Sequence, residues 1–134
     1  MKRFMLIFLL FILPMNVFCM QETEFRAAAF ISICAFGYYQ EHGIMPENIF
    51  DLQEKEYFEN TRGHFKVYYD CGFDINLQKR NDNTLDIYVS SQRMQYHVRY
   101  EVETFHHFLE YLNGKFIKEY YRDNKGYIIT TSCS

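Results

Sequence analysis

The chain has 134 residues, 17 acidic and 14 basic side chains and a formal charge of −3. That length holds one domain at most, and the acidic balance, without clustered Lys and Arg, argues against nucleic-acid binding. Fourteen Phe and twelve Tyr, with no Trp, supply bulky material for a small core.

Residues 1–19 read as a signal peptide. Met1-Lys2-Arg3 is a basic start, Phe4 to Leu13 an unbroken apolar run, and Pro14 a helix breaker. Val17 and Cys19 fit positions −3 and −1 of a cut between Cys19 and Met20. The apolar run is shorter than the roughly 20 residues of a membrane span. Membrane contact is therefore expected only during export, or through an uncleaved anchor reaching from Phe4 to about Phe18. Lipidation at Cys19 is a third outcome, although Phe18 stands where a lipobox has a small residue. The expected location is periplasmic or secreted, with 20–134 as a single domain.

Residues 20–43 read as one helix. Thr23 is a natural N-cap, and Glu22 and Glu24 suit the positive end of the helix dipole. From Ala27 to Tyr39 only Ser32 is clearly polar, so this helix must be buried on nearly all sides, with Phe30, Ile33, Cys34 and Gly37 against strands. Gly43 fits the left-handed residue that ends a helix. Pro46 opens a short second helix carrying Ile49, Phe50 and Leu52 and ending near Glu59, before the breaker Asn60-Thr61-Arg62-Gly63.

From His64 the period becomes two. Phe65, Val67, Tyr69 and Cys71 alternate with polar residues, and Gly72 shifts the phase to Phe73, Ile75 and Leu77. This is a long strand bulged at Cys71-Gly72, or a hairpin there. Further strands are expected around Leu85–Val89, Tyr96–Val102, Lys115–Tyr121 and Tyr127–Cys133. Between them Phe105, Phe108, Leu109 and Leu112 have helical spacing, which favours a short helix over a hairpin turning at Asn113-Gly114. The fold class is α+β: a buried N-terminal helix and a short second helix on an antiparallel meander of about five strands.

No residue pattern demands a reaction, so no catalytic, cofactor-binding or metal-binding residue is assigned and the protein is read as non-catalytic. Glu103, His106, His107 and Glu110 form two carboxylate–imidazole pairs on different sides of a helix, too few ligands at either for zinc. His42, His64 and His97 read as surface residues. Cys34, deep in the apolar helix, reads as an inert thiol. Ser90, Ser91 and Ser132 lack the glycine setting of a nucleophile elbow. Cys71 and Cys133, at strand ends, are the expected disulfide. Lys115, Lys118, Tyr120, Arg122 and Lys125 form a basic-aromatic strip, read as a charge-protected edge strand, with a partner-binding surface as the alternative.

The stretch YYQEHGIMPENIFDL, Tyr38 to Leu52, resembles the heads of type IV pilin-like and pseudopilin proteins. There an apolar helix ends in an aromatic-rich turn followed by Gly, Pro and Leu, as Gly43, Pro46 and Leu52 follow here. The resemblance implies a helix lying across an antiparallel meander and a cell-envelope role. Those proteins are cut after a Gly that precedes a Phe-rich helix, whereas the first glycine here is Gly37, and no functional residue carries over. The expected function is that of an exported protein acting by binding a protein partner, either a pilin-like envelope component or an inhibitor or immunity protein against a toxin or hydrolase.

Overall fold

The computed structural model describes residues 23–102, 106–123 and 128–133, the last stretch by its backbone alone. Helix α1 spans Glu24–His42. Thr23 caps its start, with the Thr23 hydroxyl accepting from Arg26 N at 3.1 Å. Gly43 ends it at φ 75°, and its N–H donates to Tyr39 O at 2.7 Å. Ala27, Ile31, Cys34 and Ala35 are wholly buried and recur at helical spacing, so one stripe of mostly small side chains faces the core. Ile33 points the other way and is 37% exposed, against the expectation that it is buried, because it lies about a third of a turn from that stripe.

The second helix is shorter than its sequence suggests: α2 covers only Ile49–Gln53. Asn48, not Pro46, starts it, through a capping box in which Asn48 and Asp51 satisfy each other's backbone N–H groups. The next stretch corrects the strand expected from His64. Thr61–Asp70 is a helix, α3. Thr61, Phe65 and Tyr68 are its buried residues, a spacing of four and then three. Gly72, read as a bulge or hairpin, instead ends α3 at φ 88°. Phe73 N donates to Tyr68 O, Gly72 N donates to Tyr69 O, and the Phe73 and Tyr68 rings stack at 6.1 Å. These are the paired hydrogen bonds and apolar contact of a Schellman ending.

Six strands follow: β1 Asp74–Asn81, β2 Thr84–Ser90, β3 Gln95–Val102, β4 His106–Leu112, β5 Lys115–Arg122 and β6 Ile128–Cys133. They form one antiparallel sheet in the order β1-β2-β3-β4-β5-β6. The α+β class and antiparallel meander stand as expected, with one strand more. Where a helix was favoured over 104–114, the described residues form β4 from His106 to Leu112 and its turn at Asn113-Gly114. Asn113 at φ 50° and Gly114 at φ 82° are both left-handed, as a two-residue type I′ hairpin requires. Nor is β5 an edge strand, since β6 pairs outside it.

α1 packs on β2 and β3. The face it covers carries Leu85, Ile87, Val89, Val98 and Tyr100, all buried. Phe30 reaches from α1 into an aromatic cluster, with its ring centroid 5.5 Å from Phe65 and 5.9 Å from Phe58. Among the described residues no helix is long and apolar enough to cross a membrane. Because Phe30 fills that cluster, Phe30→Ala should lower unfolding free energy by about 3–5 kcal/mol, and Ile33→Ala by about 1 kcal/mol or less. Urea denaturation of both variants checks this; equal losses would misplace the buried face of α1.

Candidate functional site

Alternation sends every second side chain of the sheet away from α1. On that outer face Asp86 faces Arg99 directly across β2 and β3, and Tyr88 faces His97. Gln78 is the partner of Asp86 in β1, so Arg80 arrives beside it from the same side. The Asp86 side chain is 0% exposed, although it lies on the face turned away from the helix. Arg80 Nη1 donates to its Oδ2 at 2.9 Å, and Arg99 Nε and His97 Nε2 donate to its Oδ1 at 3.0 and 2.9 Å. Burial alone would push the Asp86 carboxyl up. The hydrogen bonds from His97, Arg80 and Arg99 outweigh it and hold the group below its ordinary range.

Rings line up across the strands beside this cluster. Tyr88 stacks on His97 at 4.2 Å and His97 on Tyr111 at 5.0 Å, with interplanar angles of 10° and 18°. Tyr111 meets Phe116 edge-on at 5.7 Å. Tyr88 and Phe116 are both exposed. A hollow of about 400 Å³ opens next to the row, bordered by Asp74, Asn76, Tyr88, Ser90, Gln95 and His97.

The inner face carries a second polar set. Tyr96 Oη donates to Glu110 Oε1 at 2.5 Å, and Lys118 Nζ lies 3.6 Å from Glu110 Oε2. Tyr100 Oη meets His106 Nδ1 at 2.5 Å. Burial pushes the Tyr96, Tyr100 and Tyr120 hydroxyls far above their usual range, so they remain protonated donors. At the start of α1, the buried Glu24 accepts from Ser91 Oγ at 2.6 Å and Arg93 Nη2 at 3.0 Å. Burial again opposes ionisation there, and the bonds from Ser91, the backbone and Arg93 lower the carboxyl overall.

A groove of about 590 Å³ runs between α2 and α3, lined by Phe50, Gln53, Glu54, Arg62, Phe65, Lys66, Tyr69 and Asp70. Phe50 is 67% exposed at its rim. The charges there are already engaged. Arg62 donates to the Gln53 and Glu54 carbonyls at the end of α2, and Lys66 pairs with Asp70.

The residues singled out from sequence fall as follows. His106 and Glu110 turn inward into the tyrosine set, while His107 turns outward. His107 Nε2 lies 3.1 Å from Glu119 Oε1, but out of hydrogen-bond alignment. Glu103 lies outside the described residues. Among those described, no group of three His, Cys, Asp or Glu converges as metal ligands would. His64 packs 4.8 Å from the Phe30 ring, and His97 binds Asp86, so neither is a plain surface residue. Of the basic-aromatic strip, Lys118 is held at Glu110 and over the Phe25 and Tyr120 rings, and Arg122 lies over Phe108. Tyr120 is buried, and Lys115 is exposed at the β4–β5 turn. Lys125 lies outside the described residues. Cys71 is disulfide-bonded. The backbone of Cys133 pairs with Lys118 in the sheet, and its side chain lies outside the described residues. Cys34 is a buried free thiol whose pKa burial raises to about 12; a Thr61 hydrogen bond opposes this and the Glu56 charge adds to it. The Asp86 cluster was not anticipated, although Asp, His and Arg at alternate positions of neighbouring strands are its visible trace.

No family model, no curated protein and no solved structure matches this chain.

Two outcomes follow. Asp86 and Glu24 both have lowered carboxyl pKa values in the folded state, so the unfolded chain binds more protons as acid is added. Their contribution is complete above the ordinary values of 3.8 and 4.5 and is lost as pH falls below them. Urea midpoints measured between neutral pH and acid should fall over that window. Asp86→Asn should lower the neutral plateau by about 1–3 kcal/mol and flatten the acid limb. Separately, Cys34 in the folded protein should resist iodoacetamide at pH 8 and react once the chain is unfolded in urea, as read by intact mass.

Proposed function

We propose that this is an exported, non-catalytic protein that acts by binding a protein partner through the outer face of its sheet. The observation that carries the reading is the outer face from β1 to β5, where exposed Tyr88 stands beside Arg80 and Arg99 and the row of rings runs on through His97 and Tyr111 to exposed Phe116. Arg and Tyr are the side chains most enriched at protein interfaces, because each couples apolar contact with directional hydrogen bonding. The disulfide at Cys71 supports export, since such bonds persist in oxidising compartments. The inert thiol at Cys34, and an Asp86 carboxylate held ionised by three donors, support a binding role.

A pilin-like envelope component is the form supported by the architecture: α1 lies against an antiparallel meander and ends at Gly43 before the Pro46 turn. An inhibitor or immunity protein is the alternative, and a single tight one-to-one complex would favour it. A photo-crosslinking residue at position 88 is expected to yield one discrete adduct in the envelope of the producing cell. The same residue at position 66 on α3 should yield none. Adducts at 66 with none at 88 would move the binding surface to the helical side.

A further inference from the structure

The Asp86 cluster holds more donors than its carboxylate uses. Asp86 occupies one nitrogen of each guanidinium: Nη1 of Arg80 and Nε of Arg99. Among the described residues neither arginine has another hydrogen-bond or ion-pair partner. Both remain open to solvent, with side-chain exposures of 45% and 30%. Two other carboxylates on this face have partners of their own. Glu101 accepts from the Thr84 hydroxyl, and Glu119 lies against His107. Two guanidiniums over one carboxylate give the Arg80–Asp86–Arg99 cluster itself a net positive charge on an acidic chain. Asp86 fixes both planes from beneath, so an arriving anion meets donors that are already ordered, which lowers the ordering cost of binding.

The geometry points to Arg80 and Arg99 as a carboxylate-binding site, spread and oriented by Asp86, that takes an acidic side chain of the partner protein. This rests on the outer face being the binding surface. Guanidinium forks match the two oxygens of a carboxylate, and the remaining terminal nitrogens of Arg99 offer such a fork. A carboxylate on a protein suits the setting better than a small free anion. Exposed Tyr88 beside the pair, and the row of rings running from it to Phe116, give apolar area that only a larger ligand would cover.

The test is a titration of the full folded chain, following the arginine Nε–Hε signals by NMR. The probe is a triglutamate peptide, and sodium chloride at matched ionic strength and sodium phosphate are the comparison arms. The peptide should shift the Arg80 and Arg99 signals saturably. Arg80→Gln with Arg99→Gln should weaken binding at least about tenfold. Arg99→Lys, which keeps the charge at Asp86, should also weaken it, and guards against a result caused by loss of fold. Equal shifts from chloride, shifts confined to Lys66 or Lys115, or tighter binding of phosphate than of peptide would each overturn the proposal. A failed titration with the position-88 adduct intact removes the carboxylate site and leaves the binding surface standing. Absence of that adduct in the chain with Arg80 and Arg99 intact removes the surface itself.

Discussion

The contact between the small-residue stripe of α1 and the inner residues of β2 and β3 sets the rest of the molecule. Ala27, Ile31, Cys34 and Ala35 are fully buried there, as are Leu85, Ile87 and Val89 on the sheet side. Small side chains let the helix backbone approach the sheet closely, and interior packing density leaves little tolerance for a shifted helix. Once those strands present their apolar residues to α1, pleat alternation commits Asp86, Tyr88, His97 and Arg99 to the opposite face. Glu24 then fixes where the helix starts, by bonding Ser91 and Arg93 just beyond β2.

How much of this was legible depends on whether a signal is local. α1 was readable because both its ends are chemical: Thr23 accepts a backbone N–H, and Gly43 adopts a backbone few other residues tolerate. The strands from Asp74 to Val102 were readable from strict alternation. Thr61–Asp70 misled because Phe65, Val67 and Tyr69 alternate while Thr61, Phe65 and Tyr68 fit a helix equally well. The pair Tyr68 and Phe73, brought together across Gly72, was the local sign that decided it. β4 misled for another reason. Its inward residues include His106 and Glu110, which look like a solvated face until Tyr100 and Tyr96 from β3 satisfy them. Asp86 was invisible as a site for the same cause. One carboxylate on a polar strand face says nothing until Arg80 and Arg99 arrive from two other strands.

Both sheet faces use the same device to different ends. On the inner face Tyr100, Phe108 and Tyr120 stack across β3, β4 and β5 at 4.8 Å spacings. On the outer face Tyr88, His97 and Tyr111 do likewise across β2, β3 and β4. Cross-strand ring pairs of this kind reinforce strand register. Because the rings face one another, the outer row turns edges and polar atoms toward solvent instead of flat faces. That face therefore offers hydrogen-bonding groups and charge to solvent more than flat ring surfaces.

The ladders also give the protein an optical character. Without tryptophan, its near-ultraviolet absorption and emission come from tyrosine, with phenylalanine beneath. Tyrosines held near-parallel to neighbouring rings, as Tyr88, Tyr111, Tyr100 and Tyr120 are, sit in fixed asymmetric surroundings and couple to those rings. Near-ultraviolet circular dichroism of the native chain therefore carries a contribution from strand pairing, beside those of helix tyrosines such as Tyr68 and of the disulfide at Cys71.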